Sequence, residues 1–143
     1  MSGKNPMRWD CKEHGCFNWK KRPKIEEFAE CLPRNIKFSD IDGIVEINGK
    51  ALLLEWKGES AGEIPTGQRI MYERLTRNSD NAVLILVGDA RDMTITRRCL
   101  VWGGSLREWQ AGNLDDAKEH IRRWAEWADR SPRPALQLVG GGK

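Results

Sequence analysis

The sequence predicts an α/β fold: a mixed β-sheet flanked by helices, in the order helix-strand-strand-helix-strand-strand-helix. Three observations carry that expectation. Phe38 to Ile47 and Lys50 to Lys57 are apolar runs separated by Asn48-Gly49, the strongest short hairpin signal. "NAVLILVGDA" is short and almost continuously apolar, the pattern of a strand covered on both faces. Between and after these runs lie segments with the 3.6-residue apolar period of amphipathic helices.

In order along the chain, residues 1–22 form a polar, basic N-terminal segment, and 23–130 read as one domain. Pro23 suits the first turn of a helix through "KIEEFAECL", with Ile25, Phe28, Ala29 and Leu32 on its inner face and Pro33 as its stop. The hairpin follows, then a loop, "GESAGEIPTG". Thr66 is a candidate N-cap for a helix through "GQRIMYERLTR", with Ile70, Met71 and Leu75 facing inward. "NAVLILVGDA" and "MTITRRCLVW" are the next two strands, and "GGSLREWQAGN" reads as a loop or short turn. Leu114, Ala117, Ile121, Trp124 and Trp127 or Ala128 share one face of a closing helix. Residues 131–143, rich in Pro and Gly, read as a disordered tail.

The chain of 143 residues is 39% hydrophobic and 31% charged, which excludes a disordered polyelectrolyte. No apolar run is long enough to span a membrane, and the N-terminus lacks an apolar signal core, so a cytoplasmic location is the expectation. A net charge of +3 permits nucleic acid as a partner without arguing for it. Seven Trp against one Tyr supply indoles for core filling or for stacking on bases.

The hairpin carries the chemistry. A two-residue turn pairs Ile47 with Lys50. Stepping outward, it sets Asp42 opposite Glu55 and Asp40 opposite Lys57, all four on one face. Opposed side chains have Cβ atoms roughly 5 Å apart, so two carboxylates there repel unless a cation, a lysine or solvent intervenes. Mg²⁺ fits such a pair, because it seeks oxygen and takes one or two carboxylates with water and phosphate.

Asp42-Gly43, a spacer, then Glu55-Trp56-Lys57 resembles the signature of the PD-(D/E)XK nuclease superfamily, in its phage and prophage form. Gln68 and Tyr72, at i and i+4 on the following helix, resemble the Gln-x-x-x-Tyr motif of its exonuclease and recombination branch. The resemblance runs from Pro23 to Gly88. It implies a restriction-endonuclease-like fold and Mg²⁺- or Mn²⁺-dependent hydrolysis of DNA. Asp42, Glu55, Lys57, Gln68 and Tyr72 would be catalytic. Asp42, Glu55, the Trp56 carbonyl and Glu26, chosen over Glu27 and Glu30 on the first helix, would hold metal. The family's Pro before the Asp is replaced by Ile41, and Asp40 is an extra acid.

Lys20, Lys21, Arg22 and Lys24 form a candidate backbone-tracking cluster for DNA. Arg97-Arg98 and Arg122-Arg123 read as solvated surface charge. Cys11, His14, Cys16 and Cys31 are a weaker candidate Zn²⁺ set, since their spacing matches no standard finger. The alternative function is a catalytically silent nuclease-like fold that binds nucleic acid or a protein partner. A homodimer is the expected assembly if the substrate is branched DNA.

Overall fold

The strand Ala82–Asp89 (β3) is the spine of the molecule, and its residues 82–87 are all buried. In the computed structural model, which describes residues 23–130, β3 is the middle of the strand path in a six-stranded mixed sheet. The other strands are Gly43–Ile47 (β1), Lys50–Lys57 (β2), Thr94–Trp102 (β4), Ser105–Leu106 (β5) and Gln110–Ala111 (β6). The path runs β1-β2-β3-β4-β5, with β6 also paired to β4. β2 and β3 are parallel and every other pair is antiparallel. A parallel pair needs a crossover, and the helix Thr66–Thr76 (α1) provides it. The helix Leu114–Arg130 (α2) closes the described chain.

Alternation along β2 and β3 sends side chains to opposite faces, and each face has its own helix. On one face Leu52, Leu84, Leu86 and Ile95 pack with Leu114, Ala117, Ile121 and Trp124 of α2. On the other, Leu53, Val83, Ile85, Cys99 and Val101 pack with Met71 and Tyr72 of α1. The mixed α/β architecture with flanking helices and a doubly covered β3 is therefore as the sequence predicts.

Four elements differ in detail from the sequence expectation. They fall in two units of the chain, Met1–Asp40 and Ile41–Lys143. In the first, Ile25–Cys31 is a 3-10 helix with no buried residue, and Ile25 and Phe28 are exposed. Phe28 meets Phe38 edge-on, with ring centroids 6.4 Å apart. The expected inner face is thus a local aromatic contact rather than a core stripe.

The first strand begins at Gly43, not Phe38. At the crossover helix, Thr66 is the first helical residue and Pro65 the N-cap, without a side-chain cap. Tyr72 and Thr76 are the buried positions of α1, whereas Ile70 and Leu75 are exposed. Burial of Thr76 costs little because its hydroxyl donates to the Tyr72 carbonyl (2.9 Å) and accepts the Gly104 N–H (3.0 Å). Finally, "GGSLREWQAGN" is not a plain loop. Gly103 and Gly104, both at positive φ, turn β4 into β5, and β6 returns along β4.

The Asn48-Gly49 turn is as short as expected. Both residues have positive φ, as a two-residue hairpin turn demands, and the ladder runs from Ile47↔Lys50 to Gly43↔Leu54. Asn48 also works at a distance. Its side-chain amide donates to the carbonyls of Ala128 (3.2 Å) and Asp129 (3.1 Å), which are among the orphan acceptors at the end of α2. Beside it, Lys50 is almost fully buried, with its ammonium on the Asn48 carbonyl and 5.6 Å from the centroid of the Trp127 ring.

Replacing Asn48 by Ala removes both amide bonds, at roughly 0.5–1.5 kcal/mol each. It also places an ordinary Cβ residue in the left-handed region, at about 1 kcal/mol. Asn48→Ala is expected to lower unfolding stability by roughly 2–4 kcal/mol, read by urea denaturation. Asn48→Gly, which suits the turn but lacks the amide donors, should lose less than Asn48→Ala.

Candidate active site

The face of β2 that α1 covers changes character along its length. Leu53 is in the core, and the next two residues on that face are Glu55 and Lys57. Their side chains are only 13% and 18% exposed, which demands partners. The Lys57 ammonium lies 3.4 Å from Glu55 Oε2 and donates to Gln68 Oε1 at 2.6 Å. Gln68 stands on the first turn of α1, so one lysine ties the end of β2 to the start of the crossover helix. An ammonium has three N–H donors. Two are directed at protein, and a third remains for a ligand.

Asp42 joins from the β1 side. Beyond Gly43 the antiparallel ladder would offer the Trp56 N–H to residue 41. Instead the Asp42 carboxylate takes it, through Oδ2 at 2.7 Å. This replaces the expected strand pairing: the ladder stops, and a carboxylate lies against the Glu55–Trp56 step of β2. The Trp56 side chain turns to the opposite face, packs in the α2 core and donates its indole N–H to the Gly88 carbonyl at 3.2 Å. Lys57 is therefore engaged with Glu55 and Gln68, and exposed Asp40 lies outside the β1–β2 ladder, contrary to the expected Asp40–Lys57 pairing.

The remaining candidates fall as follows. Tyr72, one helical turn after Gln68, is 3% exposed and packs in the α1-side core. Glu26 lies in the first turn of the 3-10 helix, in the first unit. Lys24 is exposed at the N-cap of that helix. Cys31 is an exposed free thiol. Lys20, Lys21, Arg22, Cys11, His14 and Cys16 lie outside the described residues.

Among the described residues no group of three or more His, Cys, Asp or Glu converges as a metal cage. A cation bound here would rest on two carboxylates, a main-chain oxygen and water, a donor set that fits a hard, oxygen-seeking ion such as Mg²⁺. Asp42 keeps Oδ1 clear of the Trp56 bond, and Glu55 keeps Oε1 clear of Lys57. No helix among the described residues is long and apolar enough to cross a membrane. Family models, curated proteins and solved structures give no match to this chain.

Two members of the cluster are testable without any substrate. A hydrogen bond to a charged group contributes roughly 1.5–3 kcal/mol, discounted here for partial exposure. A double-mutant cycle of Lys57→Met with Gln68→Leu is expected to show a coupling of about 1 kcal/mol in denaturant unfolding. Additive losses would mean that the two side chains do not support each other.

Proposed function

We propose that this protein is a Mg²⁺- or Mn²⁺-dependent deoxyribonuclease. The observation that carries the reading is Lys57, held between the Glu55 carboxylate and the Gln68 amide, with Asp42 against the same step of β2. Those are the residue types that the resemblance to the PD-(D/E)XK signature assigns to catalysis, on adjacent elements.

Asp42, Glu55 and the Trp56 carbonyl would hold the divalent cation. When bound, it supplies charge neutralisation at a phosphoryl oxygen and makes water more acidic. Lys57 directs its third N–H at the attacking water or the phosphate, orienting the nucleophile and offsetting negative charge as it develops. Gln68 holds the Lys57 ammonium in place, so that the ammonium pays little reorganisation during the reaction. Tyr72 fixes the rotation of α1 about its axis from inside the core, which aims Gln68 at Lys57. A basic track from Lys20, Lys21, Arg22 and Lys24 for the DNA backbone completes the proposal. A homodimer would suit a branched substrate.

The test is cleavage of supercoiled circular, end-labelled linear and single-stranded DNA, with Mg²⁺, Mn²⁺ or chelator. Metal-dependent products are expected, and the circular substrate separates endonuclease from exonuclease action. Glu55→Gln and Lys57→Ala should each lower the rate by about 10²–10⁴. Full activity in either variant, or in chelator, would overturn the reading.

A further inference from the structure

The opposite face of the sheet carries a second concave site. A cleft of about 650 Å³ opens between α2 and the β3–β4 side of the sheet. That volume lies within the range of small-molecule pockets, roughly 300–1,000 Å³. Its apolar wall includes Trp102, Trp124 and Trp127, and Trp102 and Trp127 meet edge-to-face at 5.5 Å between centroids. Its polar wall includes Arg98, Arg107 and His120.

The donors of this wall are held by neutral partners. Arg98 Nε donates to His120 Nδ1 at 3.0 Å. Arginine only donates, so Nδ1 is the acceptor and the imidazole proton sits on Nε2. Burial, with Arg98 and Arg123 beside it, pushes the His120 pKa below its ordinary 6.5 and so preserves that neutral form. Arg98 also rests against bare backbone: a Cβ on Gly112 would lie 2.7 Å from Arg98 Nη1. Arg107 Nη2 donates to the Trp102 carbonyl at 3.2 Å. Trp124 Nε1 is buried and, among the described residues, has no hydrogen-bond acceptor.

Three acids, Glu108, Asp116 and Glu119, line the cleft with its three arginines, Arg98, Arg107 and Arg123, and Asp116 Oδ2 would lie 2.9 Å from the same Gly112 Cβ. Glu119 is taken by Arg122 (3.2 Å) and Arg123 (3.1 Å). Asp116 closes a reciprocal N-terminal cap with Asn113, its Oδ2 accepting the Asn113 N–H at 2.8 Å. Glu108 borders the cleft, yet among the described residues neither Arg98 nor Arg107 has a carboxylate within 4 Å. Two guanidinium groups bonded to neutral partners thus border an indole-lined space. Guanidinium donors with no carboxylate on them call for acceptor oxygens, and Trp faces call for a flat ring.

We propose that this cleft binds a small anion carrying a planar ring, of the size of a nucleoside monophosphate. The ring lies among Trp102, Trp124 and Trp127, and the anionic group meets Arg98 and Arg107. The proposal does not depend on the nuclease reading, because the cleft shares no residue with the Asp42, Glu55, Lys57 and Gln68 cluster.

The full-length protein is titrated with deoxyadenosine 5′-monophosphate, naphthoate and inorganic phosphate, followed by calorimetry and by Trp emission. Saturable binding of at least one ring-bearing anion is expected, at least tenfold tighter than inorganic phosphate. The nucleotide and the carboxylate arms identify which anionic group is preferred. Arg98→Ala should weaken binding at least tenfold. Trp124→Phe, which shrinks the aromatic face of the wall, should weaken it several-fold. Arg69→Ala on α1 should leave it unchanged. No saturable binding of either ring-bearing anion at millimolar concentration would overturn the proposal. So would equal affinity for inorganic phosphate, or wild-type affinity in both Arg98→Ala and Trp124→Phe.

Discussion

The two-residue turn at Asn48-Gly49 is the constraint on which the rest of the structure depends. A hairpin turn of that length fixes the register of β1 on β2, and a slip of one residue would send every side chain to the other face. With the register at Ile47↔Lys50, Leu53, Glu55 and Lys57 share the α1 face, while Leu52, Leu54 and Trp56 face α2. The same turn reaches further through the Asn48 amide, which satisfies carbonyls at the end of α2. One dipeptide therefore sets the phase of the hairpin and anchors the last helix against it.

From that phase the two faces of the sheet take different characters. On the α1 side the apolar packing stops at Leu53, and the strand continues into Glu55 and Lys57. The two charges remain half-buried because they meet each other and Gln68. On the α2 side apolar packing continues to Trp56, and the polar groups gather instead beside β4, around Arg98 and His120. β3 separates the two regions with an unbroken run of buried aliphatic residues. Ligands at the two places would meet different chemistry: oxygen donors and one ammonium on the first face, guanidinium groups and indoles on the second.

Much of this was legible in the sequence because it rests on local rules. Asn48-Gly49 dictated the turn, the continuous run through Ala82–Asp89 dictated a doubly covered strand, and the period of Leu114, Ala117, Ile121 and Trp124 dictated the inner face of α2. The misreadings arose where a long-range contact overrode a local pattern. Leu75 follows Met71 at the helical spacing of four, but Tyr72 and Thr76, also four apart, are the pair that faces inward, where Thr76 accepts the Gly104 N–H. Ile25 and Phe28 are three apart, another helical spacing, yet no buried residue lies on their 3-10 helix. The hairpin register sets Asp42 opposite Glu55 as a strand residue, whereas β1 begins at Gly43 and Asp42 lies before it. Its carboxylate competes with the main chain for the Trp56 N–H and ends the ladder. Arg98 looked like surface charge because nothing local reveals that His120, twenty-two residues away, accepts from it.

The central claim is that Asp42 and Glu55 together hold a divalent cation beside Lys57. Calorimetric titration of Mn²⁺ into the wild-type protein and into Asp42→Asn and Glu55→Gln tests it most directly. The account predicts one saturable site in the wild type that is lost or weakened at least tenfold in each variant, with folding intact by circular dichroism. Unchanged binding in both variants, or no binding in the wild type, would contradict it.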